Sequence, residues 1–154
     1  REKIYLKPWL TQYMSNFILE QDVAAETFNL LQIDESLCAF IDQGHLRQIM
    51  DNLCQNALRY GKPESGAIIL RTLTFRKAPC IEVIDNGSCI NHVHINQLFE
   101  PFFTTSSTGT GLGLYISREL AELNQATLSY HLTDENRSCF RLCLQDANHT
   151  LIEI

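Results

Sequence analysis

The sequence predicts an α+β fold, a two-layer α/β sandwich forming a single domain over residues 1–154. Three observations point there. The 154 residues are enough for one core that buries roughly two-thirds of the unfolded surface. Hydrophobic residues make up 45% and charged residues 19%, a globular balance rather than a disordered one. The elements also follow the order helix, strand pair, helix, strand pair, long loop, helix, strand pair. That order does not alternate β and α strictly, so it disfavours a doubly wound parallel sheet.

Each element has a local reason. The opening "KIYLKPWLTQYMSNFILEQ" predicts a short strand and then a helix, with Pro8 near the start where its missing N–H costs nothing. "FNLLQID" and "SLCAFID" are short apolar runs with a polar break, which predict two antiparallel strands. Asp42 is an N-cap residue before the helical stretch "QGHLRQIMDNLCQNALRY", which stops before Gly61 and Pro63. "GAIILRTLTF" and "APCIEVID" are rich in β-branched and aromatic residues and predict strands. Residues 86–108 are irregular, and a loop longer than about 15 residues in one domain is usually functional, often a lid. "GLGLYISRELAELN" predicts a helix, and "ATLSYHL" and "CFRLCLQ" two strands around a polar turn. There are no internal repeats and no low-complexity segment.

Composition also excludes function classes. The net charge is −6 without a clustered run of Lys and Arg, so the chain lacks the basic surface that a nucleic-acid backbone requires. No apolar run approaches the roughly 18 residues of a membrane span. The first residue is Arg1 rather than Met, which predicts a processed form or a piece of a longer protein, with any membrane segment outside it. The six cysteines form no C-x-x-C pair and read as reduced, mostly buried thiols. Cys89, His92 and His94 could imitate a metal cluster, but no fourth ligand accompanies them, which favours a polar loop.

Three stretches carry chemistry. In the central helix, Leu46, Ile49, Met50, Leu53, Ala57 and Leu58 recur at helical spacing as a core face. Gln48, Asn52, Asn56 and Arg59 form another stripe at spacings of four, four and three. This is either a solvated face or a ligand set, since an amide oxygen suits Mg²⁺ and a guanidinium suits phosphate. "IEVIDNGSCI" places Asp85 where a strand becomes a turn; the triplet is an ordinary turn sequence, or a carboxylate aimed at an exocyclic amine with Gly87 admitting a flat ring. In "GTGLGL", Gly109, Gly111 and Gly113 lack the G-x-G-x-x-G spacing of a dinucleotide fold, and no Gly-Lys-Ser/Thr follows. What remains is a glycine loop entering a helix N-terminus, where free amides favour an anion.

In combination, "DNLCQNALRYG", "IDNGSCI", "LFEPFFTT" and "GTGLGL" resemble the N, G1, F and G2 boxes of the ATP-binding catalytic domain of bacterial sensor histidine kinases. That domain belongs to the gyrase–chaperone–kinase (GHKL) superfamily, and the resemblance spans nearly the whole chain. The run from Gly109 onward is similar to PAS-linked sensors of type IV pilus and nitrogen regulation. The resemblance implies a Bergerat-type fold, a mixed sheet with helices on one face, and ATP with Mg²⁺ as cofactors. Asn56 would be the Mg²⁺ ligand, Asn52 would lie near the phosphates, Arg59 would meet phosphate and Tyr60 would stack near the adenine. Asp85 would accept from the adenine amine, with Gly87 making room and Ile90 closing the same box. Phe102, Phe103, Thr104 and Thr105 would hinge a lid over about residues 86–110. Gly109, Thr110, Gly111, Leu112, Gly113 and Leu114 would wrap the triphosphate, and Ser138 would reach the adenine edge.

Two departures bear on affinity. Cys89 stands where the family usually has a second glycine, which predicts a stiffer first turn of the lid, and Ser106 replaces a common lysine. Hydrolytic members of the superfamily use a glutamate one turn before the metal-binding asparagine. Here that position is Asn52, which cannot take a proton, so the resemblance implies γ-phosphoryl transfer rather than hydrolysis. The acceptor would be a histidine on a separate dimerisation domain of the same kinase, with a response regulator downstream. None of His45, His92, His94, His131 or His149 has the H-E/D-x-x-x-P context, and no catalytic residue is identified within the chain. The implied setting is cytoplasmic, in a longer protein that can be anchored in the inner membrane, with this domain a monomer making no membrane contact. The other readings are a related GHKL serine kinase or ATPase and a degenerate, non-catalytic nucleotide-binding module.

Overall fold

The computed structural model describes residues 1–32, 34–87, 89–90, 92–104 and 110–147, with His92 as backbone alone. Strand β1 (Glu2–Tyr5) runs into helix α1 (Leu6–Gln21). Strands β2 (Phe28–Gln32) and β3 (Cys38–Ile41) precede helix α2 (Gln43–Tyr60). The hairpin β4 (Ile68–Phe75) and β5 (Ala78–Asp85) follows. Helix α3 (Gly113–Leu123) leads to β6 (Thr127–Leu132) and β7 (Ser138–Cys143). Two 3₁₀ turns, Ala25–Thr27 and His92–Gln97, interrupt the connections.

Five strands form one mixed sheet in the order β2-β4-β5-β7-β6. Their alternation puts Ile68 and Leu70 of β4, Ile81 and Val83 of β5, Phe140 and Leu142 of β7 and Leu128 of β6 on the inner face. There they meet Leu10 of α1 and Leu46, Ile49, Met50 and Leu53 of α2, all buried. The sandwich expected from the element order is therefore the fold observed.

One expectation fails. β2 and β3 do not pair with each other. β2 runs parallel to β4, from Phe28 opposite Ile68 to Gln32 opposite Thr72, and β3 pairs antiparallel with β1 in a separate two-stranded sheet. The burial of the two strands explains the difference. In β3, Cys38, Ala39 and Ile41 are all buried, because the C-terminal segment covers it through the Phe40 N–H to Gln145 carbonyl bond at 2.9 Å. β2 alternates and suits the edge of the large sheet. The β4–β5 turn is made by Arg76 and Lys77 at φ 50° and 68°, left-handed positions with no glycine to announce them.

Both helices that frame the site are fixed at their ends. The Asp42 carboxylate accepts from the His45 N–H at 2.9 Å, so the N-cap expected from sequence is made. The Asn124 side chain, just past α3, accepts from the Asp42 N–H at 2.9 Å and donates to the Leu120 carbonyl at 2.8 Å. One buried amide thus ties the start of α2 to the end of α3.

Candidate functional site

A cavity of about 520 Å³ opens where α2, the end of β5, the start of α3 and residues 89–104 meet. Of the residues expected at the site, Asn52, Asn56, Arg59, Tyr60, Asp85, Ile90, Phe103, Thr104, Thr110, Gly111, Gly113 and Leu114 line it. Gly87 and Leu112 do not line it, while Thr105 and Gly109 lie outside the described residues. Ser138 also lines the cavity, as do Gln55, Cys89, His94, Leu98 and Phe140, which sequence reasoning did not assign to it. The register would have found Phe140: Ser138 opposes Asp85 across the β5–β7 ladder, and Phe140 is two residues on, facing the same side.

Asp85 is 4% exposed at the last position of β5. One carboxylate oxygen accepts from the Gly87 N–H at 2.8 Å, and the other has no hydrogen-bond partner among the described residues. Burial pushes its carboxyl up from the ordinary value, and the Gly87 bond and the Arg137 guanidinium only partly oppose this. Arg137 clamps the backbone behind it, donating to the carbonyls of Asp85 at 3.2 Å and Ala67 at 2.8 Å. Beside Asp85, the Ser138 hydroxyl shares a 2.9 Å hydrogen bond with Tyr130, whose oxygen accepts from the Ile90 N–H at 3.1 Å. That chain joins the segment after β5 to the far strands.

The two asparagines of α2 have different surroundings. Asn52 donates to the Gly113 carbonyl at 3.1 Å and to the Ser117 hydroxyl at 3.0 Å, and Ser117 donates on to Gly113 at 2.8 Å. Its amide therefore fastens the first turn of α3 to α2. The Asn56 amide, one turn on, makes no such bond to the described residues and faces the cavity. A neutral, hard oxygen with no partner among the described residues fits Mg²⁺, which takes few protein ligands and completes its shell with water and phosphate. Arg59, exposed on the same rim, has no carboxylate partner among the described residues.

The glycines are explained by backbone contact. A Cβ on Gly87 would lie 1.9 Å from the Tyr60 carbonyl oxygen, so this glycine lets the turn after β5 close on the end of α2. Gly111, at φ 76°, would place a Cβ 2.3 Å from the Phe102 carbonyl carbon, and the Phe102 N–H donates to the Gly111 carbonyl at 2.9 Å. The described ends of the segment 102–111 therefore meet at a left-handed glycine. Cys89 is accommodated with its thiol donating to the Asn136 carbonyl at 2.9 Å.

A second polar cluster lies on the outer face of the sheet. Glu82, fully buried, accepts from Arg71 Nε at 2.8 Å and Arg141 Nε at 2.8 Å, with His131 3.6 Å away. Glu82, His131 and Cys139 bring ligand atoms within 4.8 Å of one another. Two guanidiniums already occupy both carboxylate oxygens and repel a cation, so this is an ion-pair network rather than a metal centre.

A mixed five-stranded sheet under three helices, with its cavity between the helices and the sheet end, is the architecture of the GHKL nucleotide-binding domains. The chain belongs to the family described as histidine kinase-, DNA gyrase B- and HSP90-like ATPase, whose model matches residues 41–148. Its curated relatives include the sensor protein kinase PilS of Pseudomonas aeruginosa, 45% identical over 106 residues that make up 66% of this chain and 20% of that protein. Sensor protein TorS of Escherichia coli is 40% identical over 114 residues, 72% of this chain and 12% of the relative. The chain thus spans a fifth or less of the length of these relatives. Among solved structures, the catalytic domain of histidine kinase ThkA superposes with a TM-score of 0.76 at 23% identity, covering 94% of both chains, a likeness of fold.

Proposed function

We propose that the chain is the ATP-binding catalytic domain of a two-component sensor kinase, one unit over residues 1–154 whose segment 86–110 covers the nucleotide. It binds ATP with Mg²⁺ and donates the γ-phosphoryl group to a histidine on a separate dimerisation domain, from which a response regulator takes it. The observation that carries this reading is one cavity joining a buried carboxylate at Asp85 to an Asn56 amide that has no hydrogen-bond partner among the described residues. Asp85 accepts from the adenine amine through the oxygen that has no partner among the described residues. Ser138, linked to Tyr130, lies beside it on the base edge. Asn56 holds Mg²⁺, which neutralises phosphate charge when bound. Arg59 meets the phosphates, and the amides from Thr110 to Leu114 at the start of α3 receive them. Tyr60, Ile90 and Phe103 offer apolar surface to the ring.

Asn52 supports transfer over hydrolysis. It occupies the position one turn before Asn56, where an amide takes no proton from water at neutral pH, and its N–H groups are spent on Gly113 and Ser117. No helix among the described residues is long and apolar enough to cross a membrane. The test uses ATP labelled at the γ-phosphate, with and without the histidine-bearing helical domain of the parent kinase. Acid-labile label on that second domain, with little free phosphate from the chain alone, is the expected result. Steady hydrolysis by the chain alone, abolished by Asn56→Ala, would contradict it.

A further inference from the structure

On the outer face of the sheet, remote from the cavity, two cysteines stand directly opposite each other. Cys80 is the third residue of β5 and Cys143 the last of β7, cross-strand partners in an antiparallel ladder. The Leu144 N–H donates to the Pro79 carbonyl at 2.8 Å, which makes Cys80 and Cys143 a non-hydrogen-bonded pair. Such pairs bring their Cα atoms to about 4.5 Å and their side chains closest together. A disulfide spans Cα separations of roughly 4.4–6.8 Å, so bridging these residues asks no movement of either strand. The Cys80 thiol already donates to Cys143 Sγ at 2.7 Å.

The surroundings distinguish the two sulfurs. The hydrogen bond from Cys80 holds the Cys143 thiol below its ordinary value against the opposing effect of burial, and the Arg141 guanidinium works in the same direction. The same hydrogen bond, together with burial, pushes Cys80 up. Cys143 is half-buried and Cys80 fully buried, so the more acidic sulfur is also the more accessible one. Of the other cysteines, Cys38, Cys54 and Cys139 are buried, and Cys89, the exposed one, bonds to the Asn136 carbonyl.

We propose that Cys80 and Cys143 are a reversible dithiol–disulfide site, oxidised by peroxide and reduced by small thiols. The Cys143 thiolate attacks one oxygen of hydrogen peroxide, the O–O bond breaks, and hydroxide leaves and is protonated to water. This leaves a sulfenic acid on Cys143. The Cys80 sulfur gives up its proton, attacks the Cys143 sulfur and displaces the remaining oxygen as a second water. Two thiols lose two electrons and one peroxide becomes two waters. A reducing thiol reverses the bridge by exchange through a mixed disulfide.

The test treats the folded protein with hydrogen peroxide, blocks remaining thiols with a maleimide and digests with trypsin and a glutamate-specific protease. Cleavage after Lys77 and Glu82 separates Cys80 from Cys89, and cleavage after Arg141 separates Cys143 from Cys139. The expected result is a linked pair of peptides holding Cys80 and Cys143, with two fewer blocked thiols, both restored by dithiothreitol. Cys143→Ser abolishes the linked peptide. A protein in which both cysteines remain alkylated after peroxide, in which Cys143 stops at sulfinic acid, or in which the bridge forms to Cys89 would overturn the proposal.

Discussion

Asp85 ends β5 with a carboxylate that its own burial opposes, and the same feature makes it useful to a nucleotide. Its folded value lies above the unfolded one, so its contribution to stability is complete below the usual carboxylate range and is lost as pH rises through the folded value. Asp85→Asn removes that penalty while its side-chain oxygen can still accept from Gly87. The variant is expected to melt a few degrees above the parent at pH 7, with the gain vanishing below about pH 4, in thermal scans across that range. It is also expected to lose about 1–3 kcal/mol of ATP-analogue affinity, because an amide cannot replace an acceptor-only carboxylate. Unchanged affinity would remove Asp85 from the site. Gly87, next but one, shows the limit of reading a residue alone. The sequence suggests a glycine that admits a ring, whereas the structure uses it to admit the Tyr60 carbonyl, a contact from an element 27 positions earlier.

At the scale of the element, α2 holds two asparagines that the sequence presents as equals on one stripe, and their neighbours make them different. Asn52→Ala should lower stability by about 1–2 kcal/mol in urea titration, since it removes the two hydrogen bonds that fasten the start of α3 to α2. Asn56→Ala should leave stability within about 0.5 kcal/mol and abolish the gain in nucleotide affinity that Mg²⁺ brings. Equal losses of stability in the two variants would refute the distinction. The sheet carries its own test at Glu82, where burial pushes the carboxyl up but hydrogen bonds from Arg71 and Arg141 outweigh it and leave the value lowered. Its stability is present above the unfolded carboxylate value and is lost as pH falls through the folded one. Glu82→Gln should cost about 3 kcal/mol at pH 7, with the difference from the parent shrinking below about pH 4 in urea titrations. Helix caps and strand alternation were legible in the sequence because they depend on near neighbours, as Asp42 and His45 show. The partners of β2 and β3 were not. Alternation says which side chains face the core, and nothing local says that β2 joins β4 across an intervening helix.

For the whole molecule, the four motifs in order were legible because each is local and their order needs no geometry. Most of the residues expected at the site, Ser138 among them, do line one cavity. Phe140 was missed because it enters through sheet register rather than through a motif, and neither Leu98, at the head of "LFEPFFTT", nor His94, in the 3₁₀ segment before it, carries a local sign that it turns toward the cavity. The departures at Cys89 and Ser106 bear on how tightly nucleotide is held, and the cavity that Asp85 and Asn56 share is the feature on which the account stands. Isothermal calorimetry of the purified chain with a non-hydrolysable ATP analogue, with and without Mg²⁺, tests it most directly. One site per chain is expected, tighter with Mg²⁺ than without, and weakened in Asp85→Asn. Absence of binding at millimolar analogue, or binding indifferent to both Mg²⁺ and Asp85, would contradict it.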